Sequence, residues 1–419
     1  MTGSEQARRA LQAHLRPGDL ITWGQACGEP RTLTDALVAV SREVAGLRCF
    51  IGIPADSAVT RECDAHLEVH SYCGAGTNAG LHADGRLQVW PVHYSTLPDL
   101  LTTGALHADV VLVQVSPPDE RGRHSLGLGD DYFSAAVDHA RVVIAEINDQ
   151  VPFTSGARTL VENEWTAAVR TSRPPGELAT PVATNEMEQV ARQVASVVPD
   201  GATLQFGIGA LPEAVLAELT DHNDLGIHSG ILNDTAMTLV ESGVANGRLK
   251  THDRGVAVAG LLGGTKRLFS WAHQNPAVAL RATAYTHDPH ILATSRQLVA
   301  INAAIEVDLT GQVNAETAGE RYVGAVGGAV DFLRGAARSP GGVPIVALPS
   351  THAGTSRIVR RLSGPVSTPR SEPLVVITEH GIADLRGVPV ERRADLLVAI
   401  AHPNHRDALQ AAQPTPVFT

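Results

Sequence analysis

Short runs of Val, Ile and Leu recur along the chain between longer stretches with a helical pattern. The clearest group is Val110 to Val115, then Phe133 to His139, then Val142 to Ile147. Strand, helix, strand in that order predicts parallel sheets covered by helices, whose strands are buried on both faces and so read as continuous apolar runs. The pattern breaks at Arg173-Pro174-Pro175-Gly176-Glu177 and stays broken to Pro181, because Pro-Pro-Gly fits neither a helix interior nor a central strand. A domain boundary is expected there, giving halves of about 1–180 and 181–419. Beyond it the same grammar resumes. A helix is predicted from Asn185, a strand over Thr203 to Gly207, a turn at Ile208-Gly209, and a helix over Leu211 to Leu219 with Pro212 at its first position. Gly341 to Ala347 and Leu374 to Ile377 are further apolar runs, and Leu396 to Ile400 reads as helical after Glu391 to Asp395. The fold class is α/β.

With 419 residues, 43% of them hydrophobic, the chain is long enough for two packed cores. Its formal net charge is −11 and its Lys and Arg form no basic stripe, which argues against nucleic acid as a partner. Cys27, Cys49, Cys63 and Cys73 lack zinc-site spacing, so reduced, mostly buried thiols are expected, and no metal. Met1 to Arg16 is polar, and no run approaches the roughly 20 apolar residues of a membrane span, so the expected location is the cytoplasm without a membrane partner.

Five segments carry a family resemblance. They are Asp109 to Gly156, Leu204-Gln205-Phe206-Gly207-Ile208-Gly209-Ala210-Leu211-Pro212, Leu225 to Asp234 (LGIHSGILND), Ile301 to Gln312 (INAAIEVDLTGQ) and Thr378 to Gly387 (TEHGIADLRG). In this order they resemble the acetyl-CoA hydrolase/transferase family, which includes the 4-hydroxybutyrate and acetate CoA-transferases, from about Gly18 to Arg406. The resemblance implies two open-sheet α/β domains with the active site in the cleft between them. It also implies acyl-CoA as substrate with no permanently bound cofactor, a small-molecule acceptor, and a homo-oligomer such as a homodimer.

Against that family, three positions depart. Gly230 occupies the place of the glutamate that attacks the acyl-CoA and is captured by CoA as a thioester, and glycine has no side chain for such covalent catalysis. His287 stands where the family has an asparagine that positions the glutamate and the thioester carbonyl. Imidazole is the side chain whose ordinary pKa suits general base work at neutral pH, so His287 is the candidate base. Ala325 replaces a glycine whose N–H serves the oxyanion hole; alanine keeps the N–H and is strained only if the position has positive φ. Gly327 and Gly328 leave room for a thioester or pantetheine arm. Gly207 and Gly209, ending a strand before a helix, can turn N–H groups toward an oxygen. They lack the third glycine of a dinucleotide fingerprint and a Walker lysine.

Asp234 and Glu241 are the nearest carboxylates to Gly230 and, were Ile231 onward helical, would share a helix face. Asp119 is expected to shape the site, and Glu379-His380 to support the scaffold. The reaction expected is direct acyl transfer from the thioester to water or to a small amine or hydroxyl. Two further readings stand beside it: ordinary hydrolysis or CoA transfer by a nucleophile elsewhere in the chain, and acyl-CoA binding without turnover.

Overall fold

The computed structural model describes residues 3–62 and 65–411, and the chain forms two compact units. The first holds the chain up to Ala179 together with Gly230–Asp234 and Val258–His287; the second holds Thr180–Ser229, Thr235–Ala257 and the chain from Asp288 onward. The halves expected at 1–180 and 181–419 differ from this division in the two later segments that join the first unit. Main-chain bonds tie the longer segment there: Leu262 N donates to Leu128 O at 2.9 Å, Asp130 N to Gly260 O at 2.8 Å and Leu280 N to Ser155 O at 3.0 Å. Periodicity reports which residues share a face of one element, not where a distant stretch of chain returns.

In the first unit, seven strands are β1 Leu20–Trp23, β2 Leu47–Ile51, β3 Leu67–Ser71, β4 Leu87–Val89, β5 Val110–Val115, β6 Val142–Asn148 and β7 Ala167–Thr171. Their order is β4-β3-β2-β1-β5-β6-β7, and every neighbouring pair is parallel. All residues of β1, β5 and β6 are buried. Ile21, Cys49, Val69, Leu112 and Ile144 face a core that also takes Ala7 and Leu11 from the helix Gly3–His14 and Leu33 and Leu37 from the helix Arg31–Val40. Glu146 interrupts the apolar run of β6 for a reason: its carboxylate accepts from Thr32 N (2.9 Å), Leu33 N (3.1 Å) and Thr32 Oγ1 (2.9 Å). It thereby caps the helix that Pro30 leaves uncapped. The helix predicted over Phe133 to His139 is a five-residue 3₁₀ turn, Ser134–Asp138. Its bonds span three residues, Ala136 N donating to Phe133 O at 2.9 Å and His139 N to Ala136 O at 3.1 Å, so the segment winds more tightly than an α-helix.

The second unit repeats the layout with β8 Thr203–Phe206, the first residues of β9 Gly226–Leu232, β10 Leu298–Ala303, β11 Val343–Ala347, β12 Val375–Thr378 and β13 Gly381–Asp384. They run β9-β8-β10-β11-β12-β13, parallel except for the last pair. Leu298, Ala300, Phe332, Val346, Val376 and Leu397 fill the core beneath them. The helix predicted from Asn185 spans Asn185–Ala195. Pro212 is the third residue of the helix Ala210–Ala217 rather than its first. The position is tolerated because the first four helical N–H groups have no intrahelical acceptor. Ile231 and Leu232 belong to strand β9, and the helix after it begins at Asp234. Cys27, Cys49 and Cys73 are buried free thiols, while Cys63 lies outside the described residues. Among the described residues no helix is long and apolar enough to cross a membrane.

Candidate active site

Strand order determines where side chains can converge. In the first unit β1 is followed by β2 on one side and flanked by β5 on the other, so the order reverses between β1 and β5. Open α/β sheets bind ligands beyond the carboxyl ends of their strands at such a reversal. Parallel strands deliver these ends together: Gln25 follows β1, Gly52 and Ile53 follow β2, and Tyr72 follows β3. Tyr94 opens a short 3₁₀ turn beyond β4, Tyr94–Thr96.

These residues form one buried network. Tyr72 Oη donates to Gln25 Oε1 at 2.8 Å, and Gln25 Nε2 donates to Tyr94 Oη at 2.6 Å. Tyr94 and Tyr132 meet edge to face at 5.7 Å, as do Tyr72 and Tyr94 at 5.4 Å. On the other side, the Tyr94 ring stacks on His287, with centroids 4.9 Å apart and planes 28° apart. His287 is 5% exposed and ends the short helix Thr283–Thr286, its N–H donating to Thr283 O at 3.0 Å. Its Nδ1 lies 2.9 Å from Thr286 Oγ1. Thr286 Oγ1 also lies 3.4 Å from Ala282 O.

Asp131 completes the cluster. Its Oδ1 accepts from Phe133 N at 3.3 Å, whereas Oδ2 is buried with no partner. Burial, and after it the charge of Asp130, pushes its carboxyl up to about 7. Burial likewise holds the phenols of Tyr72, Tyr94 and Tyr132 well above their ordinary value, so all three are neutral. The carboxyl shift has a thermodynamic consequence. A carboxyl that titrates near 7 folded and near 3.9 unfolded contributes stability that is fully present below about pH 4 and is lost as pH rises through about 7. The contribution is on the order of 4 kcal/mol at most, and the Asp131→Asn variant removes it. Urea midpoints followed from about pH 4 to 8 are expected to fall less steeply in this variant than in the native protein. Equal slopes would mean that Asp131 is ionised in the folded state throughout.

Gly230 lies on β9 and is the one residue of that strand that is not fully buried. Its carbonyl is approached closely by Gly260, where an added Cβ would stand 2.9 Å from the oxygen. The carboxylate of Asp234 is already engaged. Asp234 accepts from Thr265 N at 2.8 Å and Thr265 Oγ1 at 2.7 Å, closing the start of the helix Lys266–Ala272. Glu241 is the last residue of the helix that Asp234 opens. Asp119 is held by Arg123 N, Nε and Nη2 at 2.9, 2.9 and 2.6 Å, bonds that keep its carboxyl below the ordinary range.

The remaining predicted residues belong to the second unit. There the order reverses between β8 and β10, and Gly207-Ile208-Gly209 leaves the carboxyl end of β8 at that reversal. Across it, Asn302 Nδ2 donates to Gln205 Oε1 at 3.1 Å. Gly209 has φ +125° and precedes the helix Ala210–Ala217, and Ile208 between the two glycines is 67% exposed. Gly327 has φ +53°, and Gly328 directly precedes the helix Ala329–Arg338. Ala325 is absent from the described non-glycine residues with positive φ, so its methyl group carries no left-handed strain. Glu379 accepts from Ser350 N at 2.8 Å and lies 3.5 Å from His380 Nε2, a contact at a strand end. The buried Gln25, Tyr72, Tyr94, Asp131 and Tyr132 cluster was not legible in advance, because its members come from separate strand ends and share no spacing.

The acetyl-CoA hydrolase/transferase N-terminal domain is matched over residues 6–164 and the corresponding C-terminal domain over residues 264–413. The chain is 35% identical over 413 residues to the 4-hydroxybutyrate coenzyme A transferase of Clostridium kluyveri, covering 97% of this chain and 95% of that protein. RipA from Yersinia pestis aligns with a TM-score of 0.90 at 33% identity, over 97% of this chain and 96% of its own. A 4-hydroxybutyrate CoA-transferase from Porphyromonas gingivalis gives a TM-score of 0.81 at 32% identity, with the same coverage of 97% and 96%. The chain belongs to the acetyl-CoA hydrolase/transferase family. Its class is that of enzymes acting on acyl-CoA, as transferases or thioester hydrolases.

Proposed function

We propose that this protein transfers an acyl group directly from an acyl-CoA to water or to a small amine or hydroxyl acceptor, with no glutamyl-CoA intermediate. The observation that carries the reading is Gly230: the one incompletely buried residue of β9 has no side chain, so nothing at this position can attack a thioester. His287 Nε2 is the base. It takes the proton of the acceptor O–H or N–H as that atom bonds to the thioester carbonyl carbon; the tetrahedral oxyanion then collapses, the C–S bond breaks, and the CoA thiolate recovers the proton. Backbone N–H groups at Gly209, Ala325 and Gly327 are assigned to the developing oxyanion, and Gly207 and Gly328 to holding the thioester arm. Acyl-CoA is a substrate here, and no resident cofactor enters the step.

Intact-mass measurement after incubation with acetyl-CoA tests the reading. The expected spectrum shows only the unmodified chain, before and after borohydride, while free CoA thiol accumulates in solution. A CoA adduct on any Asp or Glu would sink the proposal in favour of ordinary CoA transfer through another carboxylate.

A further inference from the structure

The direction of the hydrogen bonds around Gln25 is settled by its surroundings. Ile53 N–H, which can only donate, lies 3.3 Å from one side-chain atom of Gln25, so that atom is the amide oxygen. The same oxygen accepts from Tyr72 Oη at 2.8 Å. The amide nitrogen is therefore the group that faces Tyr94 Oη at 2.6 Å, and it donates. A directed chain results, from Tyr72 through Gln25 to Tyr94, with no freedom for the amide to flip. Its last member is the ring on which the His287 imidazole is stacked. Gly52 makes the arrangement sterically available: a Cβ there would run into the Gln25 side chain. Gln25 is 7% exposed and Tyr94 8%, so neither gains hydration if its partner is lost.

We propose that Gln25 and Tyr94 are positioning residues that fix the plane of the His287 imidazole, the amide by holding the tyrosine and the tyrosine by stacking on the imidazole. This rests on His287 being the base of the proposed acyl transfer. A base must meet the acceptor proton within hydrogen-bond reach, and an ångström of misplacement is enough to cost about a hundredfold in rate. An aromatic face also favours the imidazolium that forms once the proton is taken. The Gln25 bond adds a directional polar anchor to a ring that is also packed against Tyr72 and Tyr132.

Two readouts separate positioning from mere packing. Ring-labelled histidine gives an NMR signal for His287, assigned by its disappearance in His287→Ala, and its chemical shift reports the stacked Tyr94 ring without requiring turnover. Gln25→Leu and Gly52→Ala are each expected to shift this signal. Each is also expected to lower kcat for acetyl-CoA consumption by up to about a hundredfold while KM stays within about threefold. Tyr94→Phe keeps the ring and loses only the anchor, so it should move both readouts in the same direction by less, and it serves where the larger changes prevent folding. Folded variants with an unmoved His287 signal and kcat within about threefold of native overturn the proposal. A moved signal, with kcat unchanged both in these variants and in His287→Ala, leaves the positioning role standing and removes the general-base reading instead.

Discussion

Replacing His287 by alanine is expected to lower the rate of acyl-CoA consumption by about 10²–10⁴-fold, the range for removing a general base. CoA affinity should be nearly unchanged, because a general base acts on the acceptor proton and not on the CoA moiety. His287→Asn, which installs an amide in place of the imidazole, should be similarly damaging, since an amide cannot take up a proton at neutral pH. The geometry supports the assignment at Nδ1, which is paired with Thr286 Oγ1 at 2.9 Å, and at the ring face, which is stacked on Tyr94. Steady-state kinetics with acetyl-CoA and a range of small acceptors check it. Loss of less than about threefold in either variant, far below the general-base range, would make His287 an ordinary buried histidine.

The second large effect is a gain of function. Gly230→Glu alone is expected to give no CoA transfer, because a new carboxylate that meets an imidazole base forms an ion pair with it and is not free to attack. Adding His287→Asn should restore measurable exchange of CoA between acetyl-CoA and a free carboxylate such as propionate. The glutamate then attacks the thioester, forms an acyl anhydride, is captured by CoA and passes CoA to the second acid. The pair should be strongly non-additive, since two positions that serve one chemical step do not contribute independently. Trapping the CoA adduct by intact mass in the double variant, and its absence in each single variant, is the decisive measurement. A folded double variant that binds CoA and still fails to exchange it would show that the chemistry was lost at more than these two positions.

The chain's linear order was enough to show the strand runs at Val110, Val142 and Thr203, the helix at Asn185 and the family motifs. Each of these depends on residues close in sequence: apolar runs follow from two-sided burial of parallel strands, and proline acts on its own backbone. Gly230 and His287 stand out in the sequence for the same reason, since each is a single residue set against a local pattern. Tertiary structure decided the rest. The seven-residue strand β9 changes units between Ser229 and Gly230, and Val258–His287 returns to the first unit through main-chain bonds that no periodicity announces. The Phe133 segment becomes a 3₁₀ turn closed by bonds three residues apart, such as Ala136 N to Phe133 O. Above all, Gln25, Tyr72, Tyr94 and His287 lie far apart along the chain and share no motif. They meet because parallel pairing gathers the carboxyl ends of β1, β2 and β3 on one side of the sheet and the returning segment brings a histidine against a tyrosine, a relation that strand order creates and local sequence does not contain.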